Sequence, residues 1–207
     1  MIRPGKIVCV GRNYREHARE LGNEVPAQPL LFLKPPSSVV GDGAAIVLPR
    51  ASSRVEYEGE IGVIVGRPLR RATTGDALAA VAGVVAMNDV TARDLQRADG
   101  QWTRAKGFDT FCPVGPEVLE RPDLGDLAVT TRVNGEGRQC ASAGEMVFSI
   151  PELLAYISQV MTLEPGDLVA TGTPAGVGPL AAGDTVEVEV RCGARTSRVT
   201  NPVVADA

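Results

Sequence analysis

The chain has one histidine, His17, and that scarcity removes most metal-centre and nucleophile chemistry at once. Every motif that needs two histidines on a metal fails, the zincin helix included. A Ser-His-Asp arrangement would have to recruit His17, and no Gly-x-Ser-x-Gly turn accompanies it. The four cysteines, Cys9, Cys112, Cys140 and Cys192, form no Cys-x-x-Cys pair, so zinc ribbons and thioredoxin-type redox sites drop out. With no leader pattern in the first residues, the expectation is reduced thiols and a cytoplasmic location. Aromatics are sparse (three Tyr, four Phe, one Trp), basic residues form no dense run and the net charge is −4, so no nucleic-acid partner is expected. No apolar run approaches the ~18 residues that span a bilayer, so no membrane partner is expected either.

What is present is an ordinary globular composition, 44% hydrophobic and 22% charged over 207 residues, without repeats or a linker. A single catalytic domain over residues 1–207 is the simplest reading. Short β-like runs at residues 7–10, 30–33, 61–65, 84–86 and 168–170 each end in Gly, Pro or a polar stretch. Val186, Val188 and Val190 alternate with Glu187 and Glu189, the pattern of a strand with one wet face. Helices are fewer. The clearest starts at Ser149, where Ser149 and Glu152 have capping-box spacing and Leu153, Leu154, Ile157, Val160 and Met161 follow helical periodicity. Others are expected over residues 76–82, 91–98 and 14–21. Strands that outnumber helices without alternating with them predict a β-rich α+β fold.

Several residues have the right chemistry for a site. Residues 55–66 read as one strand, on which Glu58 and Glu60 share a face. Two adjacent carboxylates repel unless a cation lies between them, and oxygen ligands select Mg²⁺ or Mn²⁺ over zinc. On this pair alone, a solvated strand face is the simpler explanation. Asp89 ends an apolar run where functional side chains are common, but it also suits the N-cap of a following helix. Lys106 could neutralise a substrate carboxylate or an enolate, or lie on the surface as most lysines do. His17 and Glu20 share a helical face, as a base with its orienting partner or as an ordinary exposed pair. The loop at residues 172–178 is glycine-rich but matches neither a P-loop nor Gly-x-Gly-x-x-Gly.

Six runs in order resemble the fumarylacetoacetate hydrolase family: Ile7-Val8-Cys9-Val10-Gly11-Arg12-Asn13-Tyr14, Phe32-Leu33-Lys34-Pro35, Tyr57-Glu58-Gly59-Glu60, Asn88-Asp89-Val90-Thr91-Ala92-Arg93-Asp94, Ala105-Lys106-Gly107-Phe108-Asp109 and Thr171-Gly172-Thr173-Pro174-Ala175-Gly176-Val177-Gly178. The resemblance is to the compact members and implies a mixed β-sandwich roll, usually a homodimer. It places Mg²⁺ or Mn²⁺ on Glu58, Glu60 and Asp89, and matches Lys106 to the family's active-site lysine. It makes Arg12, Arg93, Gln96 and Thr173 substrate-binding candidates, and makes His17 and Glu20 a catalytic dyad on a lid segment. The implied activity is C–C hydrolysis of a 2,4-diketo acid such as an acylpyruvate or fumarylpyruvate, giving pyruvate and a carboxylic acid, with oxaloacetate decarboxylation on the same scaffold. The alternatives are an isomerase, tautomerase or hydratase of 2-oxo acids, and a metal-stabilised binding protein without turnover.

Overall fold

The computed structural model describes residues 3–206. Eleven strands of three or more residues build its two main sheets and one smaller one: β1 (Ile7–Gly11), β2 (Leu30–Lys34), β3 (Ile46–Leu48), β4 (Val55–Tyr57), β5 (Gly59–Val65), β6 (Val81–Asn88), β7 (Leu127–Val133), β8 (Glu136–Ser142), β9 (Leu168–Ala170), β10 (Thr185–Cys192) and β11 (Arg195–Ala205). The first sheet runs β6-β5-β9-β1-β2, with the short pair Leu119–Glu120 on the outer edge of β6. It is mixed, because β1 and β9 are parallel while their neighbours are antiparallel. The second runs β8-β7-β10-β11-β3.

Burial explains the sequence patterns. The run at residues 7–10 is uniformly apolar because β1 is covered on both faces. Val8 joins the largest core cluster with Ile61, Val63, Val129 and Val188, which lies between the sheets. Ile7 and Cys9 join another with Val85, Met87 and Leu168. On β10, Val186, Val188 and Val190 are buried and Glu187 and Glu189 are half-buried, the alternation of a strand with one wet face. All four cysteines are free, and burial pushes the Cys112 thiol up to about 12.

Five helices complete the fold: α1 (Arg15–Glu20), α2 (Thr74–Leu78), α3 (Arg93–Asp99), α4 (Thr103–Lys106) and α5 (Ile150–Val160). The capping box of α5 is formed by Ser149 and Glu152, and Leu153, Leu154 and Ile157 are buried against the core. Val160, expected on that face, is 61% exposed, and Met161 is already extended, so the apolar stripe ends a turn early. The helix expected over residues 76–82 covers 74–78 instead. Thr73 and Asp76 cap each other and start it sooner, and from Val81 the chain pairs with β5. The helix expected over 91–98 begins at Arg93, because Thr91 and Ala92 pair with Glu56 and Val55. The single strand expected over 55–66 is two strands in different sheets, broken at Glu58. No helix among the described residues is long and apolar enough to cross a membrane.

Candidate active site

The break at Glu58 creates the site. Antiparallel pairing of β5 with β6 sets Gly59 opposite Asn88 and Glu60 opposite Met87. One residue further, the Asp89 amide donates to the Glu58 carbonyl at 2.8 Å, and the Glu58 amide donates to Asn88 Oδ1 at 2.9 Å. Asp89 is thereby laid beside Glu58, thirty-one positions away in sequence, because opposed residues of an antiparallel pair share a face. Carboxylate oxygens of Glu58, Glu60 and Asp89 lie within 4.8 Å of one another, and all three residues are buried. Gly59 cannot be larger, since a Cβ there would sit 1.9 Å from Thr131 Oγ1.

Buried cations surround these acids. Lys106 Nζ, at the end of α4, donates to Glu58 Oε2 at 2.8 Å and to Asp89 Oδ2 at 2.6 Å. Lys34 Nζ, at the end of β2, donates to the other oxygen of Asp89 at 2.7 Å and to the Val90 carbonyl at 3.1 Å. Arg93, the first residue of α3, spans Glu56 Oε2 at 2.7 Å, Glu58 Oε1 at 2.5 Å and Gln96 Oε1 at 2.5 Å. Burial alone would push the Glu58 carboxyl up, but Lys106, Arg93 and His17 hold it well below the ordinary carboxylate range. Burial would likewise lower the Lys106 ammonium, yet Asp89 and Glu58 raise it.

Glu60 is the exception. Glu56, Glu58 and Asp89 are paired with Arg54, Arg93, Lys106 and Lys34, whereas Glu60 touches none of these cations. Its hydrogen-bond donor is the Gly172 amide at 2.7 Å. Burial, then the charges of Asp89 and Glu58, push its carboxyl well above the ordinary range. A buried carboxylate left without a cation beside two others is what a hard divalent ion relieves, so the residues fit such an ion, which Glu58, Glu60 and Asp89 would hold.

A cavity of about 60 Å³ is lined by His17, Glu58, Glu60, Lys106 and Thr173 among others, His17 coming from α1 and Leu21 from just past its end. His17 is 4% exposed, and its Nδ1 lies 3.2 Å from Glu20 Oε2. Glu20 also accepts the Gly176 amide at 3.0 Å. The glycine-rich loop thus supplies amides to both acids that need them, Gly172 to Glu60 and Gly176 to Glu20. Both glycines are left-handed, at φ +99° and +100°, and a Cβ on Gly176 would sit 2.1 Å from the Arg138 carbonyl.

Residues 6–204 match the family model described as fumarylacetoacetate (FAA) hydrolase C-terminal. The chain belongs to the fumarylacetoacetate hydrolase family. Its two-sheet architecture is the β-rich fold of that family's C-terminal domain. Among relatives, oxaloacetate tautomerase YisK of Bacillus subtilis is 43% identical over 202 residues, spanning 91% of this chain and 67% of that protein. The crystal structure of 5-carboxymethyl-2-hydroxymuconate delta-isomerase from Mycobacterium smegmatis superposes with a TM-score of 0.91 at 43% identity, covering 100% of this chain and 81% of that one. That of 2-hydroxyhepta-2,4-diene-1,7-dioate isomerase from Mycobacterium marinum does so with a TM-score of 0.90 at 46% identity, covering 100% and 77%.

In this family member the structure brings the ten candidate residues to one region, with different freedom. His17, Glu58, Glu60, Lys106, Arg12, Arg93, Gln96 and Thr173 line the cavity; Asp89 and Glu20 stand behind it. Asp89 does not cap a helix, and Lys106 is not a surface lysine. The Thr173 hydroxyl is engaged, donating to the Gly59 carbonyl at 2.9 Å and accepting from Gln139 Nε2 at 2.8 Å. Sequence reasoning assigned no role to Lys34 or Glu56. Strand parity could have found Glu56, which alternates with Glu58 and Glu60. Lys34 offered its place between an apolar run and two prolines, and its position in one of the six runs that resemble the family.

Proposed function

We propose that this protein is a divalent-metal-dependent enzyme that interconverts keto and enol forms of a small 2-oxo acid by proton transfer at the carbon next to the keto group. The observation that carries the reading is the placement of His17, buried and held by Glu20, in the same small cavity as Glu58, Glu60 and Lys106. A bound Mg²⁺ or Mn²⁺, the ions an all-oxygen donor set selects, supplies Lewis acidity that makes the substrate's C–H acidic. With Nδ1 directed at Glu20, the imidazole keeps Nε2 as its basic nitrogen; Glu20 stabilises the imidazolium formed by C–H deprotonation until that proton is returned to the enolate oxygen, which completes the enol. The Lys106 ammonium, fixed by two carboxylates, offers its positive charge to the developing enolate. A relative named for oxaloacetate tautomerisation and neighbours named as isomerases support this order of preference.

Hydrolysis of a C–C bond in an acylpyruvate or fumarylpyruvate, placed first by sequence, is the second reading. The His17–Glu20 pair favours it, because the same base can take a proton from water. Both readings are tested with metal-loaded protein, following enol loss of oxaloacetate in the ultraviolet and pyruvate release from acylpyruvates. His17→Gln is expected to lower kcat about 10²- to 10⁴-fold while leaving Mg²⁺-dependent thermal stabilisation intact. Unchanged turnover in that variant removes His17 as the base. Pyruvate release from acylpyruvates at rates above tautomerisation moves hydrolysis to first place.

A further inference from the structure

On the edge strand β8, alternation turns Gln139 and Ala141 inward and leaves Arg138, Cys140 and Ser142 exposed. An inward strand position usually holds an apolar side chain, yet Gln139 is 2% exposed. A polar group buried this way needs partners, and the Gln139 amide is fully engaged. Its Oε1 accepts the Gly59 amide at 3.0 Å, and its Nε2 donates to the Thr173 hydroxyl at 2.8 Å and to the Pro174 carbonyl at 2.7 Å.

These three bonds join two parts of the site. Gly59 is the residue between Glu58 and Glu60, and Thr173 donates to its carbonyl at 2.9 Å. Thr173 and Pro174 belong to the loop whose Gly172 amide reaches Glu60 and whose Gly176 amide reaches Glu20. The same stretch of β8 meets the loop again at Gly176. Thr131 pairs with Gln139 and Arg132 with Gly137, so Arg138 is an extra, bulged residue, and its carbonyl would lie 2.1 Å from a Cβ on Gly176. The Tyr57 hydroxyl holds the Gly176 carbonyl at 2.8 Å, a separate anchor at the far end of the loop. The Glu20 side chain is 32% exposed, so its place beside His17 depends on the Gly176 amide more than on packing. Gln139 itself lies outside the lining of the cavity.

We propose that Gln139 is a positioning residue: by fixing the loop at Thr173 and Pro174, it holds the Gly176 amide where that amide sets Glu20 against Nδ1 of His17. The proposal rests on the reading of His17 and Glu20 as a base with its orienting partner. The hydrogen bond made by one imidazole nitrogen decides which nitrogen carries the proton, so a misplaced Glu20 leaves part of the imidazole in the unreactive tautomer.

His17 is the chain's single histidine, so nitrogen NMR of labelled protein at saturating Mg²⁺ reads its tautomer directly. Wild type should carry the neutral proton on Nδ1, and Glu20→Ala should move the population toward Nε2–H. Gln139→Met, which removes all three bonds at nearly constant length, should move it the same way. It should also lower kcat about tenfold in the presence of Glu20, but less than about twofold in a Glu20→Ala background, since residues acting through one another are not additive. Gln139→Glu keeps the acceptor for Gly59 and donates at most one of the two lost bonds, so it should show both effects more weakly. It carries the comparison if the methionine variant does not fold. An unchanged tautomer, or a loss of kcat equal with and without Glu20, overturns the positioning role and leaves the dyad standing. A Glu20→Ala protein with the wild-type tautomer and turnover overturns the dyad, and the role of Gln139 with it.

Discussion

Glu60→Gln separates a metal site from a merely acidic pocket, because only a metal ligand takes the Mg²⁺ response with it when its charge is removed. Glu60 lies within 4.8 Å of oxygens on Glu58 and Asp89, and at an effective dielectric near 20 each such like-charge pair costs about 3 kcal/mol. Lys106 offsets part of that repulsion. Proton uptake limits the rest, to about 1.4 kcal/mol for each pH unit above the ordinary carboxylate value. The sign follows from the raised carboxyl: the folded chain holds its proton more tightly than the unfolded one. Stability contributed by protonated Glu60 is therefore complete below about pH 4.3 and is lost as pH rises through the raised folded value. The amide is isosteric, keeps an acceptor for Gly172, and carries no charge. Metal-free Glu60→Gln is expected to gain about 2 kcal/mol at pH 8, or roughly 4–8 °C in Tm, and to lose the wild-type decline with pH. Wild type at 100 times the Mg²⁺ Kd should gain about 2.7 kcal/mol, and the variant nothing. Scanning fluorimetry in EDTA and in Mg²⁺ reads both quantities. A variant that melts lower without metal, and still shows the wild-type Mg²⁺ shift, would refute the assignment of Glu60 as a ligand.

Lys34→Met tests the other side of Asp89. Removing a buried partner leaves that carboxylate with Lys106 as its remaining ion pair, at an expected cost of about 3–5 kcal/mol in chemical denaturation, and with weaker Mg²⁺ binding; a loss under about 1 kcal/mol would show that Asp89 does not need Lys34. Asp94 has the opposite sign to Glu60. Although burial acts to raise it, bonds from Ser52, Ser53 and the Leu95 amide bring its carboxyl down to about 2. Its contribution is present above about pH 4 and is lost as pH falls toward 2, so Asp94→Asn should flatten acid unfolding between those limits. An unchanged acid titration would contradict that role.

Part of the site was legible from one dimension through residue chemistry and spacing, and Asp89 and Lys106 joined it through the family resemblance. A single histidine and unpaired cysteines left carboxylates as the only ligand set, and period-two spacing joined Glu58 to Glu60. Covered strands showed as apolar runs and α5 showed through its capping box, since burial and capping impose local residue patterns. The helix boundaries at residues 76–82 and 91–98 were misplaced because pairing of Val81, Thr91 and Ala92 with distant strands overrode local preference.

Three matters were decided by tertiary structure alone. The β5–β6 register brought Asp89 to Glu58, and no local spacing encodes a register. Packing of β2 beside β1 buried Lys34 against Asp89, although a lysine after an apolar run is ordinarily exposed. The return of the chain at residues 172–176 brought the Gly172 amide to Glu60 and the Gly176 amide to Glu20, 112 and 156 positions away. The sequence determined which chemical groups the protein has, because composition and local periodicity are properties of the chain. Which charges are satisfied, and which remain for a metal or a substrate, depends on distances between residues far apart in the chain, and folding alone sets those.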